Sequence, residues 1–251
     1  MKAADSSPRV RLDQLLVETG AFASRSRARD AILRGTVRVG GAAIAKPGQM
    51  VSPDAAIELD DPAQLYVSRA ALKLKAALDR FDLTLEGRIA LDVGASTGGF
   101  TQVLLEGGAA HVTAIDVGHG QMAATVAADP RVTSIEGLNA RDLTLAHLDG
   151  RRPDFVVSDV SFISLKLALP PALDLAAPGA LAVLLVKPQF EVGRAKIGKG
   201  GLVTAEDAAE CAEDLASWLA ALPGWQVTGL CSSPIAGGDG NGEFLLAGHK
   251  A

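Results

Sequence analysis

Residues 89–105, IALDVGASTGGFTQVLL, restrict the fold of this chain more than any other stretch. A short apolar run (Ile89, Ala90, Leu91) reads as a strand that closes on Asp92 and Val93. Glycines at Gly94, Gly98 and Gly99 make a small-residue loop, and apolar residues from Phe100 to Leu105 then recur at helical spacing. Strand, glycine turn and helix in that order form a nucleotide-type crevice, because glycines let backbone approach a ligand more closely than any Cβ permits. The spacing G-A-S-T-G-G is not the G-x-G-x-x-G dinucleotide fingerprint. An acid two residues before the first glycine suits a positively charged ligand better than a pyrophosphate. S-adenosylmethionine, with its ammonium and sulfonium, is such a ligand. Taken alone, the loop implies only some nucleotide-like cofactor.

The rest of the chain repeats the alternation. His111 to Asp116 is a second strand ending on an acid 24 residues after Asp92, where ribose hydroxyls are bound in dinucleotide and adenosylmethionine enzymes alike. Val132 to Glu136 is a third, followed by Asn139 and Asp142; Asp142 is placed either to receive an adenine amino group or simply at a helix N-terminus. Pro153 to Ser158 delivers Asp159, and Ala180 to Val186 delivers Lys187. Thr204 to Leu222 reads as a helix, Trp225 to Cys231 as a sixth strand, and Glu243 to Ala247 as a last one. Strand–helix repeated five times, then a strand pair, predicts an α/β fold: a doubly wound Rossmann-like sheet with an antiparallel last strand. Ligands bind outside the carboxyl ends of such strands, so Asp159, Lys187 and the amino end of the reversed strand at Glu243 converge on one mouth. Lys73, on a predicted helix from Arg69 to Arg80, lies off that helix's apolar face and reads as a solvated surface lysine unless it joins them.

Ahead of this body lies a basic head. Residues 1–50 carry nine Lys/Arg against four Asp/Glu, whereas residues 51–251 carry 15 against 25, an asymmetry that points the head at a polyanion. Residues 1–8 are polar and expected to be flexible. Leu12, Leu15 and Leu16 share one helical face, and Ser24 caps a second helix from Arg25 to Leu33 that stops at Gly35. Ala28, Ala31 and Ile32 face inward there, and Arg25, Arg27, Arg29 and Arg34 crowd around the outer face. Val37 and Val39, the Gly40-Gly41 turn and a strand at Ala55 to Leu59 complete a small α+β unit. Asp60-Asp61-Pro62 marks a boundary, giving a domain at 9–59, a linker at 60–66 and a second domain at 67–251.

Two cysteines 20 residues apart and four scattered histidines offer neither a disulfide framework nor metal-ligand spacing, so no metal is expected and a cytoplasmic, monomeric protein is. The longest purely apolar run, Ala180 to Val186, is too short to span a membrane. The segment VGRAKIGKGG nearly spells a P-loop, but Gly200 stands where Ser or Thr must hold magnesium, so a mobile basic loop (Arg194, Lys196, Lys199) beside a substrate mouth is the better reading.

Two resemblances sharpen these expectations. RLDQLLVETG…SRSRARDAILRGTVRVGG…KPGQMV resembles the α-L RNA-binding domain of the ribosomal S-four type. Lys73 in SRAALKL, Asp159 in VSDVSF, Lys187 in LLVKPQFE and Glu243 in GNGEFLL resemble the Lys-Asp-Lys-Glu tetrad of FtsJ-type ribose 2′-O-methyltransferases, and LDVGASTGGFTQVLL resembles their cofactor loop. The two together are similar to the TlyA family, haemolysin-like in its old label. That resemblance implies S-adenosylmethionine-dependent methylation of a cytidine ribose in 16S or 23S ribosomal RNA. It implies cofactor contacts from Asp92, Gly94, Ala95, Ser96, Thr97, Gly98, Gly99, Phe100, Asp116, Val117, Asn139 and Asp142. RNA contacts are expected from Arg11, Arg25, Arg27, Arg29, Arg34, Arg69, Arg194, Lys196 and Lys199.

On that reading Lys187, with its proton affinity lowered by a neighbouring Lys73, acts as general base on a 2′-hydroxyl, or else a charged Lys187 only steers it. A non-catalytic RNA-binding assembly factor and a membrane-lysing protein are the competing classes. No segment long enough to insert supports the latter.

Overall fold

The computed structural model describes residues 9–251, so the flexible tail expected at 1–8 lies outside the described residues. The chain divides into two compact units, one ending at Pro62 and the other running from Ala63 to Ala251.

In the first unit, helix α1 (Leu12–Glu18) and helix α2 (Arg25–Leu33) pack on each other through the apolar positions their spacing predicts. Leu12, Leu16, Ala28, Ala31 and Ile32 are all fully buried. Ser24 caps α2 by accepting from the Arg27 amide at 3.3 Å. Two small antiparallel sheets flank them: β1 (Val10–Arg11) with β4 (Met50–Val51), and β2 (Val37–Val39) between β3 (Ala42–Ala43) and β5 (Ile57–Leu59). The β1–β4 pair is too short to show in the sequence.

The second unit opens with α3 (Ala71–Phe81), two residues later than its periodicity suggests. Then come β6 (Ile89–Val93), α4 (Gly99–Glu106), β7 (His111–Asp116), α5 (Ala124–Ala127), β8 (Val132–Glu136), β9 (Phe155–Ser158), α6 (Leu165–Ala168), α7 (Pro170–Leu175), β10 (Leu181–Val186), α8 (Ala205–Ala221), β11 (Trp225–Ser232) and β12 (Phe244–Lys250). They build one sheet in the order β11-β12-β10-β9-β6-β7-β8, parallel except for β12, which runs antiparallel to both of its neighbours. The expected doubly wound sheet with a reversed last strand is therefore present. The expected five helices are not: between β8 and β9 the chain makes only two 3-10 turns, Ala140–Asp142 and Leu145–Leu148.

Alternation along the central strands fills both faces. Leu91, Val93, Val156, Leu184 and Val186 meet α6, α7 and α8 on one side, while Ala90, Phe155, Val157, Val183 and Leu185 meet α3 and α4 on the other. Strands buried on both faces read as nearly continuous apolar runs, as LAVLLV does. A polar residue inside such a run therefore needs a partner, and Asp92 is one: it points to the α4 face, where Thr101 Oγ1 donates to its Oδ2 at 2.6 Å. Among the described residues no helix is long and apolar enough to cross a membrane.

Candidate active site

Parallel strands deliver their carboxyl ends to one edge, and β12 brings its amino end there. Two lysine–carboxylate pairs form at that edge. Lys73 of α3 pairs with Glu243, which immediately precedes β12, and both side chains are under a tenth exposed. Lys187, just past β10, lies 2.6 Å from Oδ1 of Asp159, just past β9. That approach falls outside hydrogen-bonding geometry, and the Lys187 ammonium donates instead to Ser161 Oγ at 2.7 Å.

This arrangement sets the surroundings of the two lysines. Lys73 is 4% exposed rather than a surface lysine, because the Glu243 carboxylate compensates its charge inside the fold. The charged partner seen at each lysine is a carboxylate, Glu243 for Lys73 and Asp159 for Lys187. Burial pushes the Glu243 carboxyl up, and the Lys73 ammonium pulls it back.

Beside these pairs lies a cavity of about 520 Å³, within the range of small-molecule sites. Gly94, Ser96, Asp116, Val117 and Asn139 of the expected cofactor set line it, together with Asp159. Asp116 is aimed by backbone: its Oδ2 accepts from Ser96 N at 2.8 Å and its Oδ1 from Gly118 N at 2.7 Å. Each oxygen keeps a lone pair for a hydroxyl. Ile115, Val117, Leu138 and Ile163 give the cavity apolar walls.

The remaining members of that set stand elsewhere. Ala95 and Phe100 are buried, Phe100 in the core under α4. Thr97 lies in the loop without lining the cavity, and Asp142 is exposed on the first 3-10 turn. Gly98 and Gly99 serve packing: a Cβ on Gly98 would stand 3.0 Å from Val126, and one on Gly99 2.8 Å from Ser68 Cβ. Asp92 does not line the cavity; it is fully buried on the α4 face of the sheet, with Oδ1 lacking any hydrogen-bond partner. Burial raises its carboxyl to about 7, partly opposed by the Thr101 hydroxyl.

Several basic residues expected to face RNA are tied to carboxylates. Asp13, buried at the start of α1, accepts from Arg11 and from Arg25 at 3.0 Å each, and its carboxyl is held at about 2, chiefly by Arg11. Arg34 bridges Asp30 at 2.8 Å and Asp61 at 2.7 Å. Lys196 is clasped by Asp207 and Glu210 of α8, which raise its proton affinity. Its loop is fastened at the far end too: buried Asn241 donates to Gly201 O and accepts from Val203 N, both at 2.9 Å. The segment is therefore anchored rather than a free basic loop. Arg29, Arg194 and Lys199 are exposed and, among the described residues, meet no carboxylate; Arg27 is half-buried on α2, and Arg69 lies two residues before α3.

Sequence reasoning passed over Ser161, Phe162 and Gln121, which also line the cavity, and Glu191, which binds two loops. Phe162 is 90% exposed with φ +66°, a left-handed conformation rare for a bulky residue, and its ring lies 5.0 Å from that of Phe190. The motif VSFIS was the available signal, an aromatic among small residues directly after a strand-end acid.

Comparison with known proteins agrees with this geometry. Residues 66–250 match the FtsJ-like methyltransferase family and residues 10–57 the S4 domain. The chain is 44% identical over 239 residues to the 16S/23S rRNA (cytidine-2′-O)-methyltransferase TlyA of Mycobacterium tuberculosis, covering 95% of this chain and 89% of that protein. It is 38% identical over 236 residues to Hemolysin A of Brachyspira hyodysenteriae, covering 94% and 98%. A solved structure from Streptococcus thermophilus, provisionally named a hemolysin, superposes with a TM-score of 0.75 at 39% identity, covering 98% of this chain and 90% of that one.

Proposed function

Because the chain belongs to the FtsJ-like methyltransferase family, in the TlyA group that carries an S4 domain ahead of it, we propose that it 2′-O-methylates a cytidine ribose in ribosomal RNA. The observation that carries the reading is the juxtaposition of the Lys73–Glu243 and Lys187–Asp159 pairs beside a nucleoside-sized cavity whose lip carries Asp116.

The cavity fits S-adenosylmethionine. Asp116 suits ribose hydroxyls and the apolar walls suit an adenine ring. The bound cofactor supplies an electrophilic methyl on sulfonium. The chain's own residues supply the rest. Lys187 and Asp159 would hold the 2′-hydroxyl oxygen in line, with its proton passing to the Asp159 carboxylate as the C–O bond forms and the methyl–sulfur bond breaks to leave a neutral thioether, so that much of the acceleration comes from positioning. Glu243 and Lys73, inaccessible themselves, fix the wall against which the Lys187–Asp159 pair stands. Phe162 offers its exposed face as a stacking surface for a base turned out of its helix.

In this account residues 9–59 act as the RNA-binding domain, residues 60–66 join it to the methyltransferase domain at 67–251, and the protein works in the cytoplasm, where ribosomal subunits are. Arg29, Arg194 and Lys199 meet phosphate directly, and Arg27 and Arg69 add to the positive face. Arg11, Arg25 and Arg34 hold shape as well as charge.

The test is transfer of labelled methyl from S-adenosylmethionine to purified ribosomal subunits, by the full chain and by the chain lacking residues 1–60. The full chain is expected to label a subunit, and the truncated chain to bind cofactor without labelling. No labelling of either subunit or of naked RNA by the full chain overturns the enzymatic reading. Full activity of the truncation overturns the recruiting role of the head.

A further inference from the structure

We propose that Ser161 is a positioning residue for Lys187, its hydroxyl oxygen fixing the direction of the lysine ammonium at the mouth of the cavity. The inference rests on the methyl-transfer reading above and assigns a role to a residue that the tetrad does not include.

Asp159 leaves the direction of the Lys187 ammonium unset. Its Oδ1 lies 2.6 Å from Lys187 Nζ but outside hydrogen-bonding geometry, so the pair supplies Coulomb attraction without direction. A lysine side chain is a flexible stem carrying a point charge, and attraction to the Asp159 and Glu243 carboxylates sets no direction for its N–H bonds. Among the described residues Ser161 Oγ, at 2.7 Å, is the hydrogen-bond acceptor that this ammonium meets. Two N–H bonds of the ammonium then remain, one of them for a substrate oxygen.

The backbone around Ser161 is built to hold that contact. Asp159 N donates to Val93 O at 3.0 Å, pinning one end of the loop to β6. At the other end Ser164 Oγ and Leu165 N donate to Glu191 at 2.6 and 2.7 Å, and Glu191 lies four residues beyond Lys187. The loop carrying Ser161 and the loop carrying Lys187 are thus clasped together. Between the pins Phe162 adopts a positive φ, a strained conformation that persists only where the surroundings enforce it. Ser161 is exposed, lines the cavity, and makes no side-chain bond to its own loop among the described residues, so building the turn does not explain its hydroxyl.

The test uses full-length wild-type protein, Ser161→Ala and Ser161→Thr. Steady-state methyl transfer to ribosomal subunits is expected to show kcat lowered about tenfold in Ser161→Ala, with both KM values unchanged and most of the loss restored in Ser161→Thr. Lysine-selective 13C relaxation, measured without cofactor or RNA, is expected to show the Lys187 ε-carbon gaining mobility in Ser161→Ala and not in Ser161→Thr. An unchanged kcat in Ser161→Ala, or a Lys187 signal that does not respond, overturns the proposal. If wild type transfers no methyl, the enzymatic reading falls, and the relaxation measurement alone decides whether Ser161 fixes Lys187.

Discussion

Lys73 and Glu243, 170 positions apart in the chain, meet in an ion pair in which both side chains are almost fully buried. Removing one partner strands the other charge inside the fold, which in proteins generally costs about 3–5 kcal/mol, whereas removing both together costs far less. Lys73→Met and Glu243→Leu are each expected to lower the melting temperature more than the double variant does. A double variant that loses the sum of the two singles would show that the pair is not coupled.

Asp92 makes stability depend on pH in an unusual direction. Its folded carboxyl titrates at about 7, above the ordinary value of 3.8, so the folded state holds a proton that the unfolded state has already released. Stability contributed below the ordinary value is therefore lost as pH rises from about 4 to 7, at a slope of up to about 1.4 kcal/mol per pH unit. Denaturant unfolding of cofactor-free protein across that window is expected to show the decline, and Asp92→Asn to flatten it. The same slope in the variant would assign the effect to another group.

Asp13 acts in the opposite sense and in the other unit. Hydrogen bonds from Arg11, joined by Arg25, hold its folded carboxyl at about 2, so its contribution is complete above about pH 4 and disappears as pH falls through 2. Amide hydrogen exchange in α1 and α2 is expected to lose protection across that range in wild type. In Asp13→Asn the protection should already be reduced at neutral pH and change little on acidification.

Phe162 is almost entirely exposed, so truncating it leaves the core intact. Stacking of a base on an aromatic side chain is worth about 1–3 kcal/mol. Phe162→Ala is expected to raise KM for ribosomal RNA about tenfold or more with an unchanged melting temperature. An unchanged KM would remove the stacking role.

What the sequence made legible was what is local or dictated by sheet topology. The buried stripe Leu12, Leu15 and Leu16 and the Ser24 cap follow from spacing within a few residues, and the convergence of Lys73, Asp159, Lys187 and Glu243 follows from where strand ends fall. Partnership was not legible, because it is set by tertiary distance: Asp13 reads as an ordinary helix acid until Arg11 and Arg25 close on it. The packing of Gly98 against Val126 and of Gly99 against Ser68 was not legible either, because a glycine that packs has the same letter as one that admits a ligand. Ser161 and Phe162 were missed because the clasp to Glu191 and the positive φ that orient them leave no mark on local propensity.

The most direct measurement is nucleoside analysis by mass spectrometry of ribosomal RNA treated with S-adenosylmethionine and either wild-type protein or Lys187→Ala. The account predicts 2′-O-methylcytidine with wild type and its loss in the variant. Absence of that nucleoside with wild type, or equal amounts with both proteins, would contradict it.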